Sequence, residues 1–179
     1  GEELVRQAVD AGIRVESIPG PAAFVTALTL SALPTRRFVF EAFLPTEKSN
    51  KKERTAILQS LAGEERTILL YEAPHHLLKT LEDLRDAFGE NRKLSLAREL
   101  TKKHEEVLYT DLEEAIRKYR EEEPRGEYVL VLEGLSREKR ERAAQEKWLS
   151  VSLSEHFQNY VQEGYTEKEA IKLVAKDRG

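Results

Sequence analysis

The chain has 179 residues, 40% apolar and 35% charged, with 29 basic and 33 acidic residues giving a formal charge of −4. That size holds one core with room for an appendage. The charge gives no global case for nucleic-acid binding, so such a role must rest on local patches. The absence of cysteine excludes disulfides, thiolate zinc sites and cysteine nucleophiles. No apolar run approaches the roughly 20 residues of a membrane span, and no signal peptide is visible. These features point to a cytoplasmic protein.

The chain opens inside a helical pattern, with Leu4, Val5, Ala8 and Val9 on one face and Gly12 where the helix should stop. Methionine is absent, position 1 included, and the expectation is a fragment of a longer protein. Residues 14–18 read as a short strand. A Pro19-Gly20-Pro21 turn leads into residues 22–33, apolar almost all round and therefore expected as a buried helix. Ala22 and Ala23 at its start are small enough for a ligand to approach the backbone, or merely for close helix–sheet packing.

Residues 38–42 read as a second strand. Lys48, Lys51, Lys52 and Arg54 then form a basic loop entering a helix that Ser49 could cap, with Ile57, Leu58 and Leu61 as its apolar stripe. Such a loop could hold phosphates or be a solvated face. Residues 67–71 read as a buried strand, followed by Glu72 and by Pro74 at the first turn of a helix bearing Leu77, Leu81, Leu84 and Phe88. Polar groups at the carboxyl end of such a strand lie where open α/β sheets bind ligands.

Residues 93–97 and 105–110 read as strands joined by a polar segment too short for a parallel crossover, so part of the sheet is expected to be antiparallel. A capping box at Thr110 to Glu113 opens the next helix, and Tyr128 to Leu132 is the most apolar strand and should be central. Residues 135–147 are charged and linker-like. Residues 148–161, Gly164 and a second capping box at Thr166 to Glu169 describe a small helix–turn–helix-like appendage. The expected architecture is α/β: a mixed sheet of five to six strands flanked by helices over residues 1–134, a linker over 135–147, and a helical extension over 148–179.

Standard chemical signatures are missing. His75 and His76 are adjacent, a poor chelating pair on a helix, and no metal site is expected. No Gly-x-Ser-x-Gly elbow and no Walker or Gly-x-Gly-x-x-Gly loop is present.

Four stretches taken together carry a resemblance: Val15-Glu16-Ser17-Ile18-Pro19-Gly20-Pro21-Ala22-Ala23, Tyr71-Glu72-Ala73-Pro74-His75, Ala97-Arg98-Glu99-Leu100-Thr101-Lys102-Lys103-His104-Glu105, and Gly126-Glu127-Tyr128-Val129-Leu130-Val131. In this order and spacing the chain resembles the tetrapyrrole-methylase-like (class III) methyltransferases. Within them it is most similar to the branch that methylates a cytidine ribose 2′-hydroxyl of small-subunit ribosomal RNA. The resemblance implies S-adenosylmethionine bound between two α/β domains, this chain being the second and a missing N-terminal domain preceding Gly1. It implies cofactor contacts at Gly20, Ala22, Ala23, Tyr71, Glu72, Leu100, Gly126 and Glu127. Glu99 is the first candidate base, beside Arg98, with Glu72 and His104 as alternatives. An interdomain salt bridge is the competing reading for Arg98 and Glu99. RNA contacts are expected at Lys48, Lys51, Lys52, Arg54, His75, Lys102 and Lys103, with the small ribosomal subunit as partner and a homodimer as the assembly. His76 stands where this branch usually shows arginine. The alternatives are methylation of a small tetrapyrrole, or a non-enzymatic RNA-binding module.

Overall fold

A computed structural model describes residues 1–46, 48–136, 148 and 151–178, with Lys48 described by its backbone. The elements in order are α1 (Glu2–Asp10), α2 (Ala23–Leu30), β1 (Phe38–Phe43), a 3-10 turn (Lys48–Asn50), α3 (Lys51–Ala62), β2 (Thr67–Glu72), α4 (Pro74–Phe88), β3 (Lys93–Arg98), β4 (Glu106–Asp111), α5 (Leu112–Glu121), β5 (Tyr128–Leu132), α6 (Leu153–Gln162) and α7 (Glu167–Arg178). No helix among the described residues is long and apolar enough to cross a membrane.

The five strands form one sheet in the order β1-β2-β5-β3-β4. β1 runs parallel to β2, whereas β2–β5, β5–β3 and β3–β4 are antiparallel. The apolar run of β5 is therefore central, as its composition demands. Strands β1, β2 and β3 all end at one edge, where β4 and β5 begin. The register sets Glu72 and Arg98 on either side of Tyr128, and Glu106 beyond Arg98.

The two-residue period of a strand divides the core in two. Ile68, Leu70, Leu96, Tyr128 and Leu130 face α3, α4 and α5, where Leu58, Leu81 and Ile116 complete the larger cluster. Leu69, Ala97, Val129 and Val131 face α2 through Ala27 and Leu28. Tyr71 packs with this second cluster, and alternation sends Glu72 to the α4 side.

Several expectations need correction. Residues 14–18 form no strand. Val15 and Ile18 are exposed, Ile18 at 93%, and no neighbouring strand supplies the backbone partners that a strand requires. Helix α2 is shorter than residues 22–33 and buries only one side; Val25 and Leu30 on the other are exposed. Asn50, not Ser49, is the N-cap of α3. The box opening α5 lies one residue later than its sequence pattern suggests, because Asp111 Oδ1 accepts the Glu114 N–H at 2.8 Å. The second box stands where expected, with the Thr166 N–H and hydroxyl donating to Glu169 Oε2. The sheet has five strands among the described residues. Most of the proposed linker, residues 137–147, lies outside the described residues.

Helix α1 buries none of its residues, and Leu4, Val5, Val9 and Ile13 are exposed. Its amphipathic pattern is real, but its apolar face has no partner element within the sheet domain.

Candidate active site

The edge at which β2 and β3 end and β5 begins carries a cavity of about 300 Å³. Its apolar wall includes Phe43, Tyr71, Leu100 and Val129, and its polar groups include Glu72, Glu99, Lys102 and Glu127. Tyr71 anchors the α2 side. Its hydroxyl accepts the Phe24 N–H at 3.2 Å, and its ring meets Phe40 edge-on with centroids 5.0 Å apart. Ala23, at the first turn of α2, also lines the cavity.

Glu72 is buried, at 4% exposure, and turned away from α2 as the strand period requires. Its Oε1 accepts the Ala73 N–H at 2.8 Å, and its Oε2 accepts the Thr80 hydroxyl at 2.5 Å. The same hydroxyl accepts a bond from Arg54 Nη2 at 2.9 Å. Arg54 also donates to Pro45 O, and its Nε to Asp83 Oδ2 at 2.9 Å. Glu72 is thus the inner end of a polar chain running through Thr80 to Arg54.

Glu99 leaves β3 in the left-handed region, at φ 50°, an unusual conformation for a residue with a side chain. A reciprocal clasp holds it there. The Glu99 N–H donates to Glu127 O at 3.1 Å, while Glu99 Oε1 accepts the Glu127 N–H at 3.0 Å and the Lys102 ammonium at 3.0 Å. The clasp closes over Gly126, at φ 81°, where an added Cβ would stand 2.5 Å from Glu99 Cγ. Lys102 also reaches Glu127 Oε2 at 3.4 Å. The Glu127 N–H and then Lys102 hold the Glu99 carboxyl below its ordinary value, so it stays ionised and is a weakened proton acceptor.

The structure brings Ala23, Tyr71, Glu72, Glu99, Leu100, Lys102 and Glu127 into this one cavity. Gly126 supports it from below the Glu99 side chain. Gly20 and Ala22 do not line it. Arg98 turns to β4, its Nη2 2.7 Å from Glu106 Oε2, while its buried Nε has no partner among the described residues. Lys52, His75 and Lys103 are exposed and outside the cavity. The side chain of Lys48 lies outside the described residues. Sequence reasoning missed Phe43 and Tyr128 as cavity residues; Tyr128 follows from its register opposite Glu72.

A second cavity, of about 310 Å³, lies between α3 and α4 and is lined by Lys51, Arg54, His76, Lys79, Thr80 and Asp83 among others. Arg54 is therefore a fixed part of a wall, in an ion pair with Asp83 whose two side chains are mostly buried. Among the described residues no cluster of histidine and carboxylate ligands could hold a metal ion.

The family model of the Tetrapyrrole (Corrin/Porphyrin) Methylases matches residues 1–116. The ribosomal RNA small subunit methyltransferase I of Synechocystis sp. is 43% identical over 177 residues, covering 99% of this chain and 61% of that protein. The protein of the same name from Halalkalibacterium halodurans is 45% identical over 181 residues, 100% of this chain and 60% of its own length. The chain thus spans about three fifths of these relatives. In fold it is similar to the methyltransferase CobJ, with TM-score 0.55 and 20% identity over 74% of this chain and 56% of that one. It is also similar to a uroporphyrin-III C-methyl transferase of Thermus thermophilus complexed with S-adenosyl homocysteine, with TM-score 0.51 and 19% identity over 74% and 58% of the two chains. At these identities the two structures speak to the fold alone.

Proposed function

The chain belongs to the tetrapyrrole (corrin/porphyrin) methylase family, and on that footing we propose that the cavity at the sheet edge is one wall of an S-adenosylmethionine site. The other wall comes from a domain preceding Gly1. The whole protein, acting as a cytoplasmic homodimer, transfers a methyl group to a ribose 2′-hydroxyl of small-subunit ribosomal RNA. The observation that carries this reading is the convergence of Tyr71, Glu99, Leu100 and Glu127, from sequence segments far apart, on one cavity of about 300 Å³. The ribosomal RNA methyltransferase names of the relatives support the substrate class. Exposed Leu4, Val9 and Ile13 are suited to burial against a preceding domain.

The residues present suit the cofactor. Phe43, Tyr71, Leu100 and Val129 offer apolar surface to an aromatic base, and the Glu99 and Glu127 carboxylates favour a cationic ligand. When bound, S-adenosylmethionine supplies an activated methyl group on a positive sulfonium. The chain's own residues orient it. Tyr71 ties α2 to the strand end, and the Glu99–Glu127 clasp fixes the loop opposite. Positioning of this kind, which holds the reacting groups at near-attack distance, can supply about 7–11 kcal/mol of a barrier. Lys51, Lys52, His75, Lys102 and Lys103 surround the edge as candidate RNA contacts, Lys102 less freely because Glu99 and Glu127 engage it.

The lowered pKa of Glu99 weakens it as a base and favours positioning over proton abstraction. Steady-state kinetics of the full-length Glu99→Gln protein should therefore show KM for the cofactor raised about tenfold. The pH profile of kcat between about 5 and 8 should keep its shape. Loss of a basic limb at unchanged KM would make Glu99 the base and overturn this assignment.

A further inference from the structure

We propose that the cavity between α3 and α4 is a phosphate subsite that takes a backbone phosphodiester of the nucleic-acid substrate beside the methyl-transfer cavity; this rests on the RNA reading above.

Charge is the first argument. Three permanent cations line the cavity, Lys51, Arg54 and Lys79, against one carboxylate, Asp83, leaving a formal excess of two with His76 neutral. Asp83 does not cancel the field so much as arrange it. Its Oδ2 accepts Arg54 Nε at 2.9 Å and its Oδ1 accepts Lys79 Nζ at 2.7 Å, which fixes Arg54 at the wall and draws the exposed Lys79 beside it. Arg54 is held further by Pro45 O and the Thr80 hydroxyl. Lys51 is exposed and forms no ion pair among the described residues. Pre-positioned cations lower the ordering cost of binding an anion.

The second argument is location. Thr80 lines this cavity, and its hydroxyl donates at 2.5 Å to Glu72, which lines the methyl-transfer cavity. The two cavities are separated by the thickness of one polar chain. A polynucleotide at the first cavity carries phosphates on both sides of the reacting ribose, and the second cavity offers cations beside it.

The third is His76. Among the described residues the charged and titratable groups around it are His75, Lys79 and Asp83 on α4, with Lys51 and Arg54 on α3. The His76 imidazole adds a ring nitrogen able to donate a hydrogen bond to a phosphate oxygen at this wall.

The test uses the full-length protein, a short single-stranded RNA followed by fluorescence anisotropy, and inorganic phosphate followed by the His76 imidazole resonance. Lys51→Glu should weaken RNA binding about tenfold and lower the salt dependence by about one ion. His76→Ala should weaken RNA binding about threefold, whereas His76→Arg should preserve it. His75→Ala should behave as the parent. Phosphate and RNA should both move the His76 resonance. Parent-like RNA binding by Lys51→Glu and His76→Ala overturns the subsite, as does a His76 resonance that responds to phosphate but not to RNA. Binding of S-adenosylhomocysteine separates the two levels. Failure of the parent to bind RNA removes the RNA reading, and the subsite with it, while RNA binding that is indifferent to these variants removes the subsite alone.

Discussion

Gly126→Ala is expected to weaken S-adenosylhomocysteine binding by the full-length protein about tenfold or more, and to destabilise the fold by about 2–4 kcal/mol. Two independent costs add. At φ 81° a residue with a Cβ is disfavoured by about 1–2 kcal/mol. The new Cβ would also stand 2.5 Å from Glu99 Cγ. That atom is not the loose end of a side chain, because the carboxyl beyond it is bonded to the Glu127 N–H and to Lys102. Relief of the overlap therefore breaks the clasp, at about 1 kcal/mol for each bond lost. Calorimetric titration with S-adenosylhomocysteine and a thermal melt measure the two effects. Parent-like affinity in a destabilised protein would separate the clasp from the cofactor site.

Thr80→Val should cost about 2–4 kcal/mol, nearly all of which Thr80→Ser should restore. Valine keeps the shape but removes the hydroxyl that serves two partners. Glu72 Oε2 and Arg54 Nη2 would each lose a bond in a site with little access to water. A buried polar group without its partner costs about 1–3 kcal/mol, far more than the net gain of an average hydrogen bond. Urea unfolding of the two variants reads the difference. A Thr80→Val protein within about 0.5 kcal/mol of the parent would mean that water replaces the hydroxyl, and that the Arg54–Thr80–Glu72 chain does not couple α3 to the strand end.

The elements with strong local signals were legible in the sequence. Tyr128–Leu132 announced a central strand because five consecutive apolar residues need cover on both faces, and the sheet order bears this out. Pro74 and the helical spacing of Leu77, Leu81, Leu84 and Phe88 marked α4 for reasons internal to the helix. Elements whose fate depends on a distant partner were not legible. Residues 14–18 have strand-like composition but no edge to pair with, and α2 is apolar all round yet packed on one side. Asp111 displaced Thr110 as the cap of α5 because β4 continues through Asp111, paired with Lys93, and the helix begins only after it.

The site divides in the same way. Gly126 could be suspected from its own sequence context, since Pro124-Arg125-Gly126 is a turn. The left-handed backbone of Glu99 could not, because its cause is a clasp to Glu127, 28 residues away. Glu72 was visible as a strand-end carboxylate, but its commitment to Thr80 follows from strand parity and the seat of α4. Lys79 and Asp83 are spaced as an i,i+4 pair, which by itself implies nothing beyond a helix-surface contact. Only the packing of α3 against α4 turned Asp83 toward Arg54 and made a cavity of the interface.

The central claim is that this chain forms half of a cofactor cleft serving a ribose methyltransferase. The most direct measurement incubates the full-length protein with tritiated-methyl S-adenosylmethionine and either small ribosomal subunits or a uroporphyrinogen-type tetrapyrrole, then digests the products to nucleosides. The predicted result is label in a 2′-O-methylated nucleoside of the ribosomal RNA and none in the tetrapyrrole. Label in the tetrapyrrole, label on a nucleobase, or robust transfer by residues 1–179 alone would contradict it.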